Sequence, residues 1–246
     1  MNILVTNDDG IHSEGLIALE EAMSRLGHVY VVAPDRERSA AGHSLTLHHP
    51  LRLEEISKNR YSLDGTPTDC VNLAVNGLLD FRPDVVVSGI NKGGNLGDDI
   101  TYSGTVAAAM EGTLLGIPSV AVSLDSKSDF NFDAAADSAA KIVKIIMLEG
   151  MPEDTLININ VPNLPEKELK GWKVTRQGKR IYGDAVIEKI DPRGRKYFWI
   201  GGDNLGFEHR DDSDFEAVSK GFISITPLHL DLTNHKTMDE LKSWKL

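Results

Sequence analysis

The sequence predicts an α/β fold in which a mostly parallel β-sheet has helices packed on both faces. Short runs rich in β-branched residues recur along the chain, and stretches with helical periodicity separate them. The runs are mostly continuously apolar rather than alternating, as is typical of strands buried on both faces of a sheet. A chain that alternates strands and helices in this order favours parallel strands joined by helical crossovers.

Five apolar runs are expected to form the strands of this sheet. In chain order they are Ile3-Leu4-Val5, 29–34, 84–89, 119–124 and 156–162. Four helices are expected between or beside them, covering 14–27, 66–79, 105–115 and 132–148. The second helix has the clearest start, because Thr66 is a typical N-cap, Pro67 fits the first helical position and Asp69 follows in the first turn.

The sequence changes in character after Pro162. Residues 171–201 combine aromatic and basic side chains and are expected to form two or three exposed strands, with a turn at 191–194. A helix near 213–220 and a strand over 221–228 follow, and the terminal helix is expected to begin with a capping box formed by Thr237 and Glu240. We therefore expect one domain over 1–246, with an α/β core over 1–165 and a smaller C-terminal part over 166–246.

Composition limits the classes of function. The chain has 246 residues, 41% of them hydrophobic, which is enough for a sizeable core. Its formal charge of −11 disfavours binding to a nucleic-acid duplex. Cys70 is the single cysteine, so no intramolecular disulfide can form, and this fits a reducing compartment. With neither a leader-like start nor a membrane-length apolar run, we expect a cytoplasmic protein without a membrane partner.

Two adjacent acids, Asp8 and Asp9, follow the first predicted strand within Asn7-Asp8-Asp9-Gly10. Adjacent carboxylates repel each other unless a cation lies near them. Carboxylate oxygens are also the preferred ligands of Mg²⁺, Mn²⁺ and other hard cations. Asn, Asp and Gly are common in turns, however, so the motif by itself is better explained as a solvated turn.

Polar residues also follow the next strands. Ser39 lies in the charged loop after the second strand, and Asn91 and Asn95 lie in a glycine-rich loop after the third. Ser103-Gly104-Thr105 then opens an alanine-rich helix, whose free N–H groups and flanking hydroxyls would suit a phosphate group. Considered alone, the Ser39 segment is better explained as a surface loop, and simple helix capping explains Ser103-Gly104-Thr105 about as well as phosphate binding does. A flexible loop explains less well why glycines lie at a third strand end.

The arrangement of these segments is more informative than any one of them. Ligands of open parallel sheets bind beyond the carboxyl ends of the strands, and these segments all follow strand ends. Two acids, a hydroxyl, an amide oxygen and a phosphate-binding helix start are together suited to metal-assisted hydrolysis of a phosphate ester.

The residues also resemble a known family. ILVTNDDG, APDRERSAAGHSLTL, GTPTDCV, VVSGINKGGNLGDDITYSGTVAAAMEG, INVP and SITPL, in this order, are similar to the SurE (survival protein E) family of metal-dependent 5′-nucleotidases. The similarity runs nearly from end to end and is densest over 1–123. It implies a Rossmann-like α/β core and a phosphatase that hydrolyses nucleoside 5′-monophosphates. In some members 3′-monophosphates and short polyphosphate are also substrates.

The resemblance also implies residue roles. It implies one divalent cation per subunit, most simply Mg²⁺ or Mn²⁺, held by Asp8, Asp9, Ser39 and Asn91, with Asp8 and Asp9 also catalytic. It implies phosphate contacts from Asn95, Ser103, Gly104 and Thr105. It further implies a homodimer or homotetramer that exchanges C-terminal tails, near 236–246 here, and packs hairpins corresponding to 184–201.

Two other classes compete with this interpretation. A phosphoacceptor receiver module also pairs acids after its first strand, but its acceptor Asp would stand at a later strand end, where this chain has Asn91. A dinucleotide-binding oxidoreductase would have G-x-G-x-x-G after the first strand, where this chain has NDDGIHSEG. The sequence does not identify a general acid. His12 and His43 are candidates, but neither is assigned a catalytic role.

Overall fold

The structure, a computed structural model, describes residues 1–181, 186–200 and 206–244. The predicted hairpin at 184–201 and terminal helix at 236–246 therefore lie partly outside the described residues. The strands in the described residues are β1 Asn2–Thr6, β2 His28–Pro34, β3 Leu53–Ser57, β4 Arg60–Leu63, β5 Val85–Lys92, β6 Ser119–Asp125, β7 Thr155–Pro162, β8 Trp172–Val174, β9 Arg180–Ile181, β10 Val186–Ile190, β11 Lys196–Ile200, β12 Gly206–Phe207 and β13 Ile223–His229.

The α-helices of the described residues lie between or after these strands. They are α1 Glu14–Ser24, α2 Pro67–Leu73, α3 Gly104–Leu114, α4 Asp133–Glu149, α5 Asp214–Ser219 and α6 His235–Leu241. Short 3₁₀ helices cover Gly97–Thr101 and Glu166–Glu168, and a π-helical segment over Ala74–Leu78 continues α2. The predicted start of α2 is confirmed, because Thr66 and Asp69 form a reciprocal capping box ahead of Pro67. Nowhere in the described residues is there a helix with the length and apolarity to cross a membrane.

Nine strands form one sheet in the order β3-β4-β2-β1-β5-β6-β7-β13-β8. The six strands from β4 to β7 are mutually parallel, while β3 pairs antiparallel with β4 and β13 pairs antiparallel with β7. The predicted α/β fold with a mostly parallel sheet is therefore confirmed. Taken in chain order, the six parallel strands have the arrangement 3-2-1-4-5-6 of a Rossmann fold.

Helices cover both faces of the sheet, as predicted. One face carries α1 and α4, and the other carries α2 and α3. The larger core lies under α1 and α4 and includes Leu16, Leu19, Met23, Ala139 and Val143. On the other face, Ala107 to Ala109 are all buried, because small side chains let α3 approach β5 and β6 closely.

The chain after Pro162 contributes to the main sheet as well as to smaller structures. Strand β13 lies between β7 and β8, whereas β10 and β11 form a separate antiparallel hairpin. The predicted start of the terminal helix is wrong by three residues: Asn234 is the N-cap of α6, and its side chain accepts a hydrogen bond from the backbone N–H of Thr237.

Candidate active site

The candidate site lies where the order of strands changes direction. From β1 the chain moves to β2 and β4 on one side, and then returns to place β5, β6 and β7 on the other. Strands β1 and β5 are neighbours, with Thr6 paired to Ser88. Ligands bind at such switch points, outside the carboxyl ends of the strands. The structure thus brings Asp8 and Asp9, after β1, close to Asn91, at the end of β5.

Asp8 is buried against the start of α3. Only 5% of its surface is exposed, and the Thr105 hydroxyl donates a hydrogen bond to its carboxylate. Gly104 allows this approach, since a Cβ at that position would lie 2.8 Å from the Asp8 Cβ. The predicted metal-binding acid and the predicted phosphate-binding helix start are therefore in direct contact.

Asp9 is half-buried beside Asp8 and accepts a hydrogen bond from the backbone N–H of Lys92, with 3.3 Å between nitrogen and Oδ2. Burial, and then the charge of Asp8, raise the pKa of Asp9 to about 6. Burial also raises the pKa of Asp8, although the Thr105 hydrogen bond opposes this effect. Both carboxylates are therefore destabilised as anions, and a bound cation would relieve this.

Asn91 and Ser39 could add neutral oxygen ligands. The Asn91 side-chain nitrogen donates to the Gly93 carbonyl at 2.7 Å, so the amide oxygen is the atom that remains for a cation. The loop that carries Ser39 is fixed to the end of β1, because the backbone N–H of Arg38 donates to the Asp8 carbonyl at 2.8 Å. The Ser39 hydroxyl itself is exposed and donates to Glu37, so it would have to rotate to reach a cation.

These donors fit a hard divalent cation. Across residues 1–181, 186–200 and 206–244, no three His, Cys, Asp or Glu side chains form a metal-binding group. A cation at this site would therefore be held by two carboxylates supplemented with hydroxyl, amide or water oxygens. Magnesium and manganese accept such mixed oxygen coordination and commonly keep several waters.

The start of α3 is arranged to receive an anion. Ser103 is the N-cap, and its hydroxyl oxygen accepts from the backbone N–H of Val106 at 3.1 Å. The N–H groups of Gly104 and Thr105 precede the first intrahelical hydrogen bonds, as in any helix start. A phosphoryl group here would meet backbone donors and the positive end of the helix dipole.

Asn95 lies in a buried polar network. Its side-chain nitrogen donates to the Ser123 hydroxyl at 2.8 Å, and its backbone N–H donates to Asn160 at 2.7 Å. Its carbonyl accepts from the side chains of Asn158 and Asn160. These bonds hold the glycine-rich loop over β6 and β7 and fix the predicted phosphate ligand in one position.

Asn158 and Asn160 were not predicted as residues of the site, because both lie within an apolar strand run. Their burial inside β7 is the signal that could have revealed them, since asparagine is uncommon in buried strands. Lys92 was missed for another reason: only its backbone N–H contacts Asp9.

Among the described contacts, His43 bonds to Glu111 and not to Asp8 or Asp9. Its Nε2 lies 2.9 Å from the buried Glu111 carboxylate on α3, which also accepts a hydrogen bond from Asn72 at 2.7 Å. The His43 hydrogen bond is the main reason that the pKa of Glu111 lies below its usual value. His43 thus connects the Ser39 loop to α3, whose start is the predicted phosphate-binding segment.

A family model described as "Survival protein SurE" matches residues 3–184. This chain belongs to the SurE family. The resemblance noted from the sequence is thereby confirmed. A protein named "5′-nucleotidase SurE" from Geotalea uraniireducens is 59% identical over 247 residues and is covered completely, as is this chain. Its namesake from Geobacter sulfurreducens is 58% identical, with all of this chain and 94% of the relative covered.

A solved SurE structure has the same fold. The SurE protein from Aquifex aeolicus superposes with a TM-score of 0.88, has 48% sequence identity and is matched over 98% of each chain. Membership in the SurE family disfavours both alternative classes, the receiver module and the dinucleotide-binding oxidoreductase.

Proposed function

We propose that this protein is a metal-dependent 5′-nucleotidase that hydrolyses nucleoside 5′-monophosphates to nucleoside and phosphate. The observation that carries the proposal is the direct contact between Asp8 and the start of α3, which juxtaposes a site for a cation with a site for a phosphoryl group. The relatives named 5′-nucleotidase cover the whole chain, so they support the same activity.

In this proposal Asp8, Asp9, Ser39 and Asn91 hold one Mg²⁺ or Mn²⁺ ion. When bound, such an ion polarises a phosphoryl oxygen and lowers the pKa of a coordinated water. Asp8 and Asp9 supply the negative charge that attracts the cation, while Ser39 and Asn91 add oxygens without adding charge. The Thr105 hydroxyl keeps the Asp8 carboxylate oriented, because its hydrogen bond fixes one of the two oxygens.

The phosphoryl group is bound by Asn95, Ser103, Gly104 and Thr105. Gly104 and Thr105 contribute backbone N–H groups that stabilise charge on the non-bridging oxygens. Ser103 contributes its hydroxyl hydrogen, since only the oxygen is used in capping the helix. The network around Asn95 positions that residue in advance, so little reorganisation is needed when substrate binds.

The proposal also includes assembly and location. The two strands of the β10–β11 hairpin expose large apolar side chains, among them Ile190, Phe198 and Trp199, and every described residue of α6 is exposed. These features support a homodimer or homotetramer that packs the hairpins and exchanges C-terminal tails. A single buried cysteine, Cys70, supports a cytoplasmic location.

The decisive experiment measures phosphate release from a panel of nucleoside monophosphates, with Mg²⁺ or Mn²⁺ and with EDTA. We expect wild-type release to require metal and Asp8→Asn to abolish it, with metal binding measured separately by calorimetry. Asp137→Asn is the matched control, because Asp137 is exposed on α4 and pairs only with Arg25 among the described contacts. Metal-independent release, or full activity of folded Asp8→Asn, would disprove the assignment.

A further inference from the structure

A cleft of about 430 Å³ is lined by residues that follow strands β2 and β4. Its lining includes Arg36, Arg38 and Arg52, together with Asp35 and Asp64. Three guanidinium groups thus face two carboxylates, in a chain whose formal charge is −11. We call this region the basic cleft.

The guanidinium groups of the basic cleft are only loosely paired. The Arg36 Nη1 lies 3.6 Å from Asp35, and the Arg52 Nη1 lies 3.5 Å from Asp64, both longer than usual hydrogen bonds. The Arg36 and Arg52 side chains are 68% and 80% exposed. Each guanidinium has five N–H donors, so most of them remain free for an anion in solution.

Arg38 provides a second, independent indication of a ligand. Its Nη2 donates to the Asp64 carbonyl at 2.9 Å and to the Asp35 carboxylate at 3.2 Å. Its Nε is buried and has no hydrogen-bond partner among the described residues. A buried donor without a partner is costly, so a shift of the Arg38 side chain that brought its Nε to an oxygen ligand in the cleft would be favourable.

The position of the basic cleft relates it to the candidate site. It lies beyond the carboxyl ends of β2 and β4, which are the first and second neighbours of β1. Strand spacing places it about 5 to 10 Å to the side of the end of β1, where Asp8 lies. Arg38 is also bonded through its backbone to Asp8 and directly precedes Ser39.

We propose that the basic cleft binds a second phosphoryl group of the substrate, and that nucleotides phosphorylated at two ribose positions are the preferred substrates. This inference rests on the proposed function, because the first phosphoryl group occupies the site at Asp8 and α3. Guanidinium groups bind phosphate in a planar, bidentate manner. In a pyrophosphate linkage the two phosphorus atoms lie closer together than two neighbouring strands, so such a group would not reach both sites. In a nucleoside 3′,5′-bisphosphate the ribose separates the two phosphorus atoms.

The test compares steady-state kinetics on adenosine 5′-monophosphate and adenosine 3′,5′-bisphosphate. We expect wild-type protein to have the lower KM for the bisphosphate. Arg36→Ala and Arg52→Ala should each raise that KM about tenfold, equivalent to 1.4 kcal/mol. The KM for the monophosphate should stay within about twofold, the size of an ordinary surface effect. Arg25→Ala is the control for net charge, because it removes an exposed arginine at the C-terminal end of α1.

The outcomes separate this inference from the proposed function. Equal KM values for both substrates, or a bisphosphate KM insensitive to Arg36 and Arg52, would overturn the inference while leaving the nucleotidase intact. Inorganic phosphate could instead change the rate of monophosphate hydrolysis without competing with the monophosphate, in a way that Arg52→Ala removes. That result would also overturn the inference, because the cleft would then bind a free anion and not a group of the substrate. Absence of phosphate release from both substrates would instead refute the proposed function itself.

Discussion

Replacing Gly104 with alanine is expected to disturb the active site through a single added methyl group. The new Cβ would lie 2.8 Å from the Asp8 Cβ and 2.9 Å from its Oδ2, whereas ordinary contacts begin at 3.4 Å. Either Asp8 or the start of α3 must therefore move by about 0.6 Å, which exceeds the roughly 0.5 Å tolerance of catalytic groups. The backbone N–H of residue 104 is retained, so the proposed phosphate donor is not lost.

The expected consequence is larger for activity than for stability. Overpacking a tight contact typically costs about 1–3 kcal/mol, and each kcal/mol lowers Tm by about 2–4 °C in a chain of this size. A displacement of this size near the reacting groups should lower kcat/KM by about tenfold to a hundredfold. Phosphate release with Mg²⁺, together with thermal unfolding, measures both effects.

Gly206→Ala is the matched control for this experiment. The nearest atoms to a Cβ at Gly206 are 3.9 Å away on Ile181, an ordinary contact. This variant should keep wild-type activity and Tm. If Gly104→Ala also kept both, the close contact between α3 and Asp8 would have no role in catalysis, and the reasoning would fail.

Two further predictions concern buried carboxylates. Asp214→Asn should lower the free energy of urea unfolding by about 1–3 kcal/mol. The Asp214 carboxylate accepts hydrogen bonds from the backbone N–H groups of Gly97, Gly178 and Phe215. In Asp214→Asn the side-chain NH₂ group would face backbone N–H donors, and neither group can accept. Glu111→Gln should destabilise the protein near neutral pH but not in acid. Since the hydrogen bond with His43 holds the pKa of Glu111 below its usual value, its contribution to stability is lost as pH falls through that lowered pKa.

Exposed residues provide the controls for these two substitutions. Asp137→Asn should change the unfolding free energy by less than about 0.5 kcal/mol, as surface changes usually do. If Asp214→Asn changed the unfolding free energy no more than Asp137→Asn does, the role of the three hydrogen bonds to Asp214 would be contradicted.

For Glu111, the free energies of unfolding of the wild-type protein and of Glu111→Gln are compared between about pH 3 and pH 7, and they should converge at the acid end. A constant gap across this range would show that the effect is steric rather than ionic. Glu149→Gln is the control for Glu111→Gln, because Glu149 is exposed.

The main strands and helices could be predicted because burial leaves a direct mark on their sequences. Strands of the parallel centre are covered on both faces and are therefore continuously apolar. Strand β3 was not predicted, because all five of its residues are exposed and it includes Glu54 and Glu55, which disfavour strands. Its strand conformation depends on pairing with β4, a tertiary contact that no local pattern shows.

The location of the candidate site was predictable from the sequence, but its side-chain contacts were not. Strand-end positions were enough to place Asp8, Asn91 and Thr105 at one edge of the sheet. No local feature predicts that the Ser39 hydroxyl faces Glu37, or that Asn95 is held by asparagines from β7. These contacts depend on loop conformations and side-chain rotations, which are determined only when distant segments meet.

The placement of β13 beside β7 has a consequence for folding during synthesis. Strand β7 pairs with β13 along Ile223–His229, and these residues leave the ribosome some sixty positions after β7. During synthesis the outer edge of β7 therefore has unpaired backbone donors and acceptors, while the strands before it are already complete. Such an edge can pair with another nascent chain. Once Ile223–His229 have been synthesised, β13 can pair with β7 and satisfy the backbone groups of this edge.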